Sequence, residues 1–158
     1  HQLQVSTTGP STVPEAVDLL SPADLARVRE AVRSAESGTS GEIRVHLDDA
    51  IVDDVLDHAA FVFQELDMQR TRDRNGVLIY VNVAQHRAAV IGDAGINAVL
   101  PNGYWNETLG VLLEHFRGGR YAEGICTAVE RLGAQLQQHF PPRPDDTNEL
   151  SDEVSIGR

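Results

Sequence analysis

The chain has one cysteine, one methionine, one tryptophan and only 5% aromatic residues among its 158 positions. With Cys126 alone, no disulfide closes within it and no cysteine-built metal cluster can form. The setting Gly124-Ile125-Cys126-Thr127-Ala128-Val129 reads as a helix interior, so a buried thiol is expected there rather than a nucleophile. Basic residues are scarce too: 13 Lys and Arg face 24 Asp and Glu, a formal charge of −11. Nucleic acid and anionic lipid surfaces repel such a chain. No apolar run approaches the roughly 18 residues that cross a bilayer, and no basic-then-apolar leader opens the sequence. No nucleic-acid partner and no direct membrane insertion are therefore expected. Nucleotide and hydrolase signatures are missing as well: there is no P-loop, no GxGxxG, no GxSxG elbow and no HExxH. The six histidines (His1, His46, His58, His86, His115 and His139) show no two-histidine metal spacing.

What is present is an ordinary globular composition, 41% hydrophobic and 23% charged, of a length that suits one domain. Residues 1–20 carry Ser, Thr, Gly and Pro without a period and read as a flexible leader. Ser21, Pro22 and Asp24 then have the pattern of a helix start, followed by a Leu25, Val28, Val32 stripe. Residues 42–47 alternate, with Ile43, Val45 and Leu47 on one face, which predicts a half-buried strand with His46 facing outward. Val52, Val55, Leu56, Ala59, Phe63 and Leu66 keep helical spacing. Residues 76–83 are a continuous apolar strand, and three residues later 87–91 form another. So short a connection admits only an antiparallel hairpin, whereas the helix between the first two strands makes a parallel βαβ unit. Two further helices are marked by Trp105, Leu109, Leu112 and Phe116, and by Tyr121, Ile125, Val129, Leu132 and Leu136. Pro141 and Pro142 stop the last one, and residues 141–158 read as an acidic, mobile tail. The expected fold is a three-layer α/β/α sandwich around a small mixed β-sheet, over residues 21–140.

This topology sorts polar residues onto two edges of the sheet. One edge gathers Ser40, Gly41 and Glu42, then Arg72, Asp73, Arg74 and Asn75, then Asp93 and Asn97. Glu42, Asp73, Asn75 and Asp93 are hard oxygen donors of the kind that suit Ca²⁺ or Mg²⁺. Arg72 and Arg74 are suited to gripping a phosphate; no covalent nucleophile is evident, though Asp93 can be proposed as one. The plainer account stands beside this one: an arginine paired with an acid, and Asp93 capping a short helix. The other edge gathers Asp48, Asp49, Asp53, Asp54, Gln85 and His86. Its spacing is not that of an EF-hand, and Asp53 and Asp54 fit a solvated helix start.

Ser40-Gly41-Glu42-Ile43-Arg44-Val45, Arg74-Asn75-Gly76-Val77-Leu78-Ile79-Tyr80, Gly92-Asp93-Ala94-Gly95-Ile96-Asn97, Phe116-Arg117 and Tyr121-Ala122-Glu123-Gly124-Ile125 together resemble the TPM domain, in order and spacing, over most of the chain. The ending from Asp145 to Ser155 resembles a short, standalone, soluble bacterial branch of that family. The resemblance implies an α/β/α sandwich. It also implies divalent-cation binding, with low-specificity acid phosphatase activity on phosphate monoesters, or else a non-catalytic interaction or assembly role toward a membrane-associated protein partner. A cytoplasmic location is implied for this branch, with a processed or periplasmic form left open by His1. Where many members carry an acidic pair before the third strand's arginine, this chain has Gln85-His86-Arg87, which shifts the expected site toward Glu42, Asp73, Asn75 and Asp93.

Overall fold

The computed structural model describes residues 19–142 and 155–156. The leader expected over 1–20 and the tail expected over 141–158 lie almost wholly outside the described residues. Along the chain come α1 (Pro22–Glu36), β1 (Glu42–Asp48), α2 (Val55–Glu65), a 3₁₀ turn (Met68–Arg70), β2 (Gly76–Asn82) and β3 (Arg87–Gly92). Then follow α3 (Ala94–Asn97), α4 (Tyr104–Arg117), α5 (Tyr121–His139) and β4 (Ser155–Ile156).

The local signals act as their chemistry requires. Ser21 Oγ accepts from the Asp24 amide at 3.1 Å and Pro22 fills the first turn of α1. Asp54 caps α2 by accepting from the Asp57 amide at 2.8 Å. The chain reverses between α4 and α5 at Gly118-Gly119, where Gly119 takes φ 74°, a left-handed backbone that suits glycine.

The strand order is β3-β2-β1-β4. β1 and β2 are parallel, from Glu42 opposite Gly76 to Asp48 opposite Asn82, with α2 as the crossover. β2 and β3 are antiparallel, from Val77 opposite Gly92 to Asn82 opposite Arg87. β4 runs parallel to β1 at His46 and Leu47. Because side chains alternate along a strand, the sheet has two differently served faces. Ile43, Val45, Leu47, Val77, Ile79 and Val81 pack with Val28 of α1, Leu112 of α4 and Ile125, Leu132 and Leu136 of α5. Leu78, Tyr80 and Ala89 pack on the other face with Ala59, Val62 and Phe63 of α2 and with Met68. The fold is thus α/β, with a hydrophobic core on each face of a mixed sheet.

One expectation is corrected. The outward face of β1 is not solvated: His46 is 5% exposed, Glu42 2% and Asp48 0%. The reason lies in what covers it. Side chains from the neighbouring strand and from α2 lie over that face: the Tyr80 ring stacks on His46 with centroids 6.0 Å apart, and His58 of α2 reaches Asp48 at 3.3 Å.

Candidate functional site

The parallel pair β1–β2 has an entrance, where both strands begin, and an exit, where both end. The entrance brings together the loop before β1, the loop before β2 and the end of β3. Asn75 Nδ2 donates to Ser40 Oγ at 3.2 Å, and the Ser40 hydroxyl donates to Asp73 Oδ2 at 3.4 Å. The Asn75 amide is held by Thr71 Oγ1 at 3.1 Å. Asn75 is 1% exposed, and its Oδ1 is buried and accepts no hydrogen bond among the described residues. Beside it, Arg74 grips Asp93 in a bidentate pair through one guanidinium edge, Nε to Oδ2 at 2.7 Å and Nη2 to Oδ1 at 2.9 Å. Asp93 Oδ1 also accepts from the Ala94 amide at 2.7 Å and so caps α3. The hydrogen bond and the charge of Asp93 push the Arg74 pKa further up.

This loop is clamped from below. The Gly95 and Ile96 amides both donate to the Arg74 carbonyl, at 2.8 and 3.2 Å. A Cβ on Gly95 would collide with the Asp73 carbonyl and stand 2.7 Å from that of Arg74. A Cβ on Gly76 would stand 2.7 Å from the Met68 carbonyl. Both glycines are therefore there for close approach of backbone to backbone. Arg74 itself is held at φ 53°, a left-handed backbone uncommon for a side-chain-bearing residue.

Of the residues singled out in the sequence, the structure joins Asp73 and Asn75 through Ser40, and pairs Arg74 with Asp93. Glu42 is a buried carboxylate at the first position of β1, and Arg72 is exposed. Glu42, Asp73 and Asp93 do not converge as one set; among the described residues no three His, Cys, Asp or Glu side chains are placed to hold a metal ion. The physical cause at Asp93 is plain, since both its oxygens are taken up by Arg74 and by the first amide of α3.

The exit holds a network that period and motif did not announce. Tyr80 donates to Asp48 Oδ2 at 2.7 Å, and His58 Nε2 lies 3.3 Å from the same oxygen. Asp48 Oδ1 accepts from the Ala50 amide at 2.9 Å. Asn82 Nδ2 donates to the Ala50 carbonyl at 2.8 Å and to Tyr80 Oη at 3.2 Å. Burial raises the Tyr80 pKa, with the Asp48 hydrogen bond adding to it. Burial lowers that of His46 to about 4, against the opposing pull of Asp48. The signal that was legible is the register: in a parallel pair His46 faces Tyr80 and Asp48 faces Asn82. The acidic run after β1 is a solvated helix start, as expected, with Asp54 as the cap and Asp53 and Asp57 exposed.

Two concavities border the exit. The larger, about 830 Å³, is an open groove whose floor is β3, an edge strand among the described residues, and whose walls include Leu56 of α2 and Trp105 and Leu109 of α4. The smaller is taken up below. No described helix is long and apolar enough to cross a membrane.

Residues 13–135 match the model of the TPM domain. Among curated proteins, none matches. Among solved structures, the NMR structure of the BA42 protein from the psychrophilic bacterium Bizionia argentinensis is 38% identical and superposes with a TM-score of 0.80, covering 87% of this chain and 95% of that one. The N-terminal domain of a protein from P. gingivalis is 23% identical with a TM-score of 0.68, over 82% of this chain and 85% of that one. The N-terminal domain of the cg2496 protein from Corynebacterium glutamicum is 9% identical with a TM-score of 0.63, over 94% and 97%. The last two speak for the fold alone.

Proposed function

This chain belongs to the TPM domain family, and from that premise we propose that it binds a hard divalent cation at the entrance of the β1–β2 pair and acts by binding rather than by turnover. The observation that carries this reading is the buried Asn75 Oδ1, an acceptor with no donor among the described residues, on a side chain tied through Ser40 to Asp73. A buried amide oxygen left so costs about 1–3 kcal/mol, which a bound Ca²⁺ or Mg²⁺ would recover. Asp73 and Asn75 would supply the charged and neutral oxygens, with Ser40 beside them. Against turnover stands Asp93, whose two oxygens accept from Arg74 and Ala94, so that neither is presented as a nucleophile and Arg74 is not presented to a phosphate. A protein partner fits a binding role, and the open groove of about 830 Å³ over the β3 edge is where one of its segments would lie.

A second reading, hydrolysis of phosphate monoesters, is favoured by Arg72, exposed next to Asp73 and suited to holding a phosphoryl oxygen. In it the cation supplies charge neutralisation. Backbone amide shifts in a Ca²⁺ and Mg²⁺ titration test the first reading. Saturable shifts at Ser40, Asp73 and Asn75, lost in Asp73→Asn, are expected. Shifts centred on residues 48–54, or none, overturn it. Aryl phosphate hydrolysis by the same sample, falling at least tenfold in Arg72→Gln, would move the assignment to the second reading.

A further inference from the structure

Where β2 turns into β3, a cavity of about 270 Å³ opens between that turn and the α4–α5 junction. Val83, Leu113 and Phe116 make it apolar, and Arg87, Arg117 and His86 stand on its wall. No Asp or Glu is among its lining residues. In a chain of charge −11 this is a local reversal of sign. The volume sits just below the small-molecule range of roughly 300–1,000 Å³. The location is the one that open α/β sheets use, outside the carboxyl end of a parallel strand.

Both arginines are exposed and so available to a ligand. Arg117 leans on Glu114 at 2.7 Å, but both side chains are about 70% exposed, so the pair is worth little and yields to a desolvated anion. His86, like Asp67 and Arg74, has a positive φ, here 53°, in the tight turn beside the cavity. The first residue of α5, Tyr121, also lines the wall, and no side chain caps that helix of 19 residues. The positive end of its dipole favours negative charge there, part of which Glu123 of the first turn supplies, with Arg120 3.7 Å from it. The opposing end of α4 is already closed by the Gly118, Gly119 and Arg120 amides, which donate to the His115 and Phe116 carbonyls.

We propose that this cavity binds a small amphipathic anion, a compact apolar or aromatic body seated against Val83, Leu113 and Phe116 with one phosphate or carboxylate held by Arg87 and Arg117. It lies at the opposite end of the strands from the entrance, so it stands whether or not a cation binds there.

The test is an amide-shift titration of the full chain in EDTA with phenyl phosphate and with benzoate, with inorganic phosphate and anionic phospholipid vesicles as further arms. Saturable shifts confined to residues 81–87 and 113–123 are expected with at least one of the two aromatic anions, and which of them binds assigns the head group. Inorganic phosphate, lacking the apolar body, should bind at least tenfold more weakly, and vesicles not at all. Arg87→Gln and Arg117→Gln should each weaken binding about tenfold with an unchanged melting temperature. Leu113→Ala should weaken the aromatic anion but not inorganic phosphate. Affinity untouched by both arginine variants, inorganic phosphate binding as well as the aromatic anions, shifts centred elsewhere, or binding to vesicles only would each overturn the proposal.

Discussion

The two ends of the same pair of strands use polar residues in opposite ways. At the exit, Asp48 is fully buried, and its carboxylate meets Tyr80, His58 and the Ala50 amide within the protein. At the entrance, Arg74 remains half-exposed on a buried Asp93, and Asn75 keeps an acceptor in reserve. The closed network holds the strand ends together; the incomplete one leaves room for something to be added. The density of acidic residues is therefore a poor guide to where a ligand goes. The exit has more carboxylates in sequence, yet one of the two concavities beside it has arginines and no carboxylate on its wall.

Removing Asp48 should give the largest effect, because Asp48→Ala strands the Tyr80 hydroxyl and the Ala50 amide in the core. A loss of about 4 kcal/mol in chemical denaturation is expected. If the loss were under 1 kcal/mol, the exit network would not be the structural partner in this comparison. Next comes pH. His46 titrates near 4 when folded and at its ordinary 6.5 when unfolded, with burial as the main cause and Asp48, Arg44 and His58 around it. The unfolded chain thus binds the extra proton first between these values, so stability is complete above about 6.5 and drains as pH falls toward 4. About 2 kcal/mol should go between pH 7 and 4.5. His46→Gln should flatten that slope, whereas an unchanged slope would place the acid sensitivity elsewhere. The smallest effect belongs to the entrance. Asp93→Ala removes the cap of a four-residue helix and a partly exposed ion pair, and should cost about 1–2 kcal/mol. A loss equal to that of Asp48→Ala would erase the distinction between the two ends.

Much of the fold was legible because local chemistry and global topology agree. Ser21 and Pro22 announced α1, the short connection after β2 required an antiparallel β3, and the parallel pairing put residues 40–42 beside 72–75 and Asp93. The capping role of Asp93 was also open to a reader of the sequence. Other features were not legible, for physical reasons. The polar face of β1 alternates as a solvated face would, and only the side chains packed over it decide that it is buried. β4 has two residues and no periodic signal. The Asn75 acceptor depends on which groups do not reach it, and no motif encodes a missing donor. The cationic cavity draws on residues from two hairpins, and its charge is hidden within a strongly acidic average.

That cavity has a consequence for folding order. Its walls come from the β2–β3 hairpin and from the α4–α5 hairpin, both built from contacts close in sequence that form early. The β1–β2 and β1–β4 pairings close much longer loops and come later. A molecule seated between the two hairpins would lock the earliest pieces to each other, raising the stability of the docked state by mass action before the sheet's distant strand is in place.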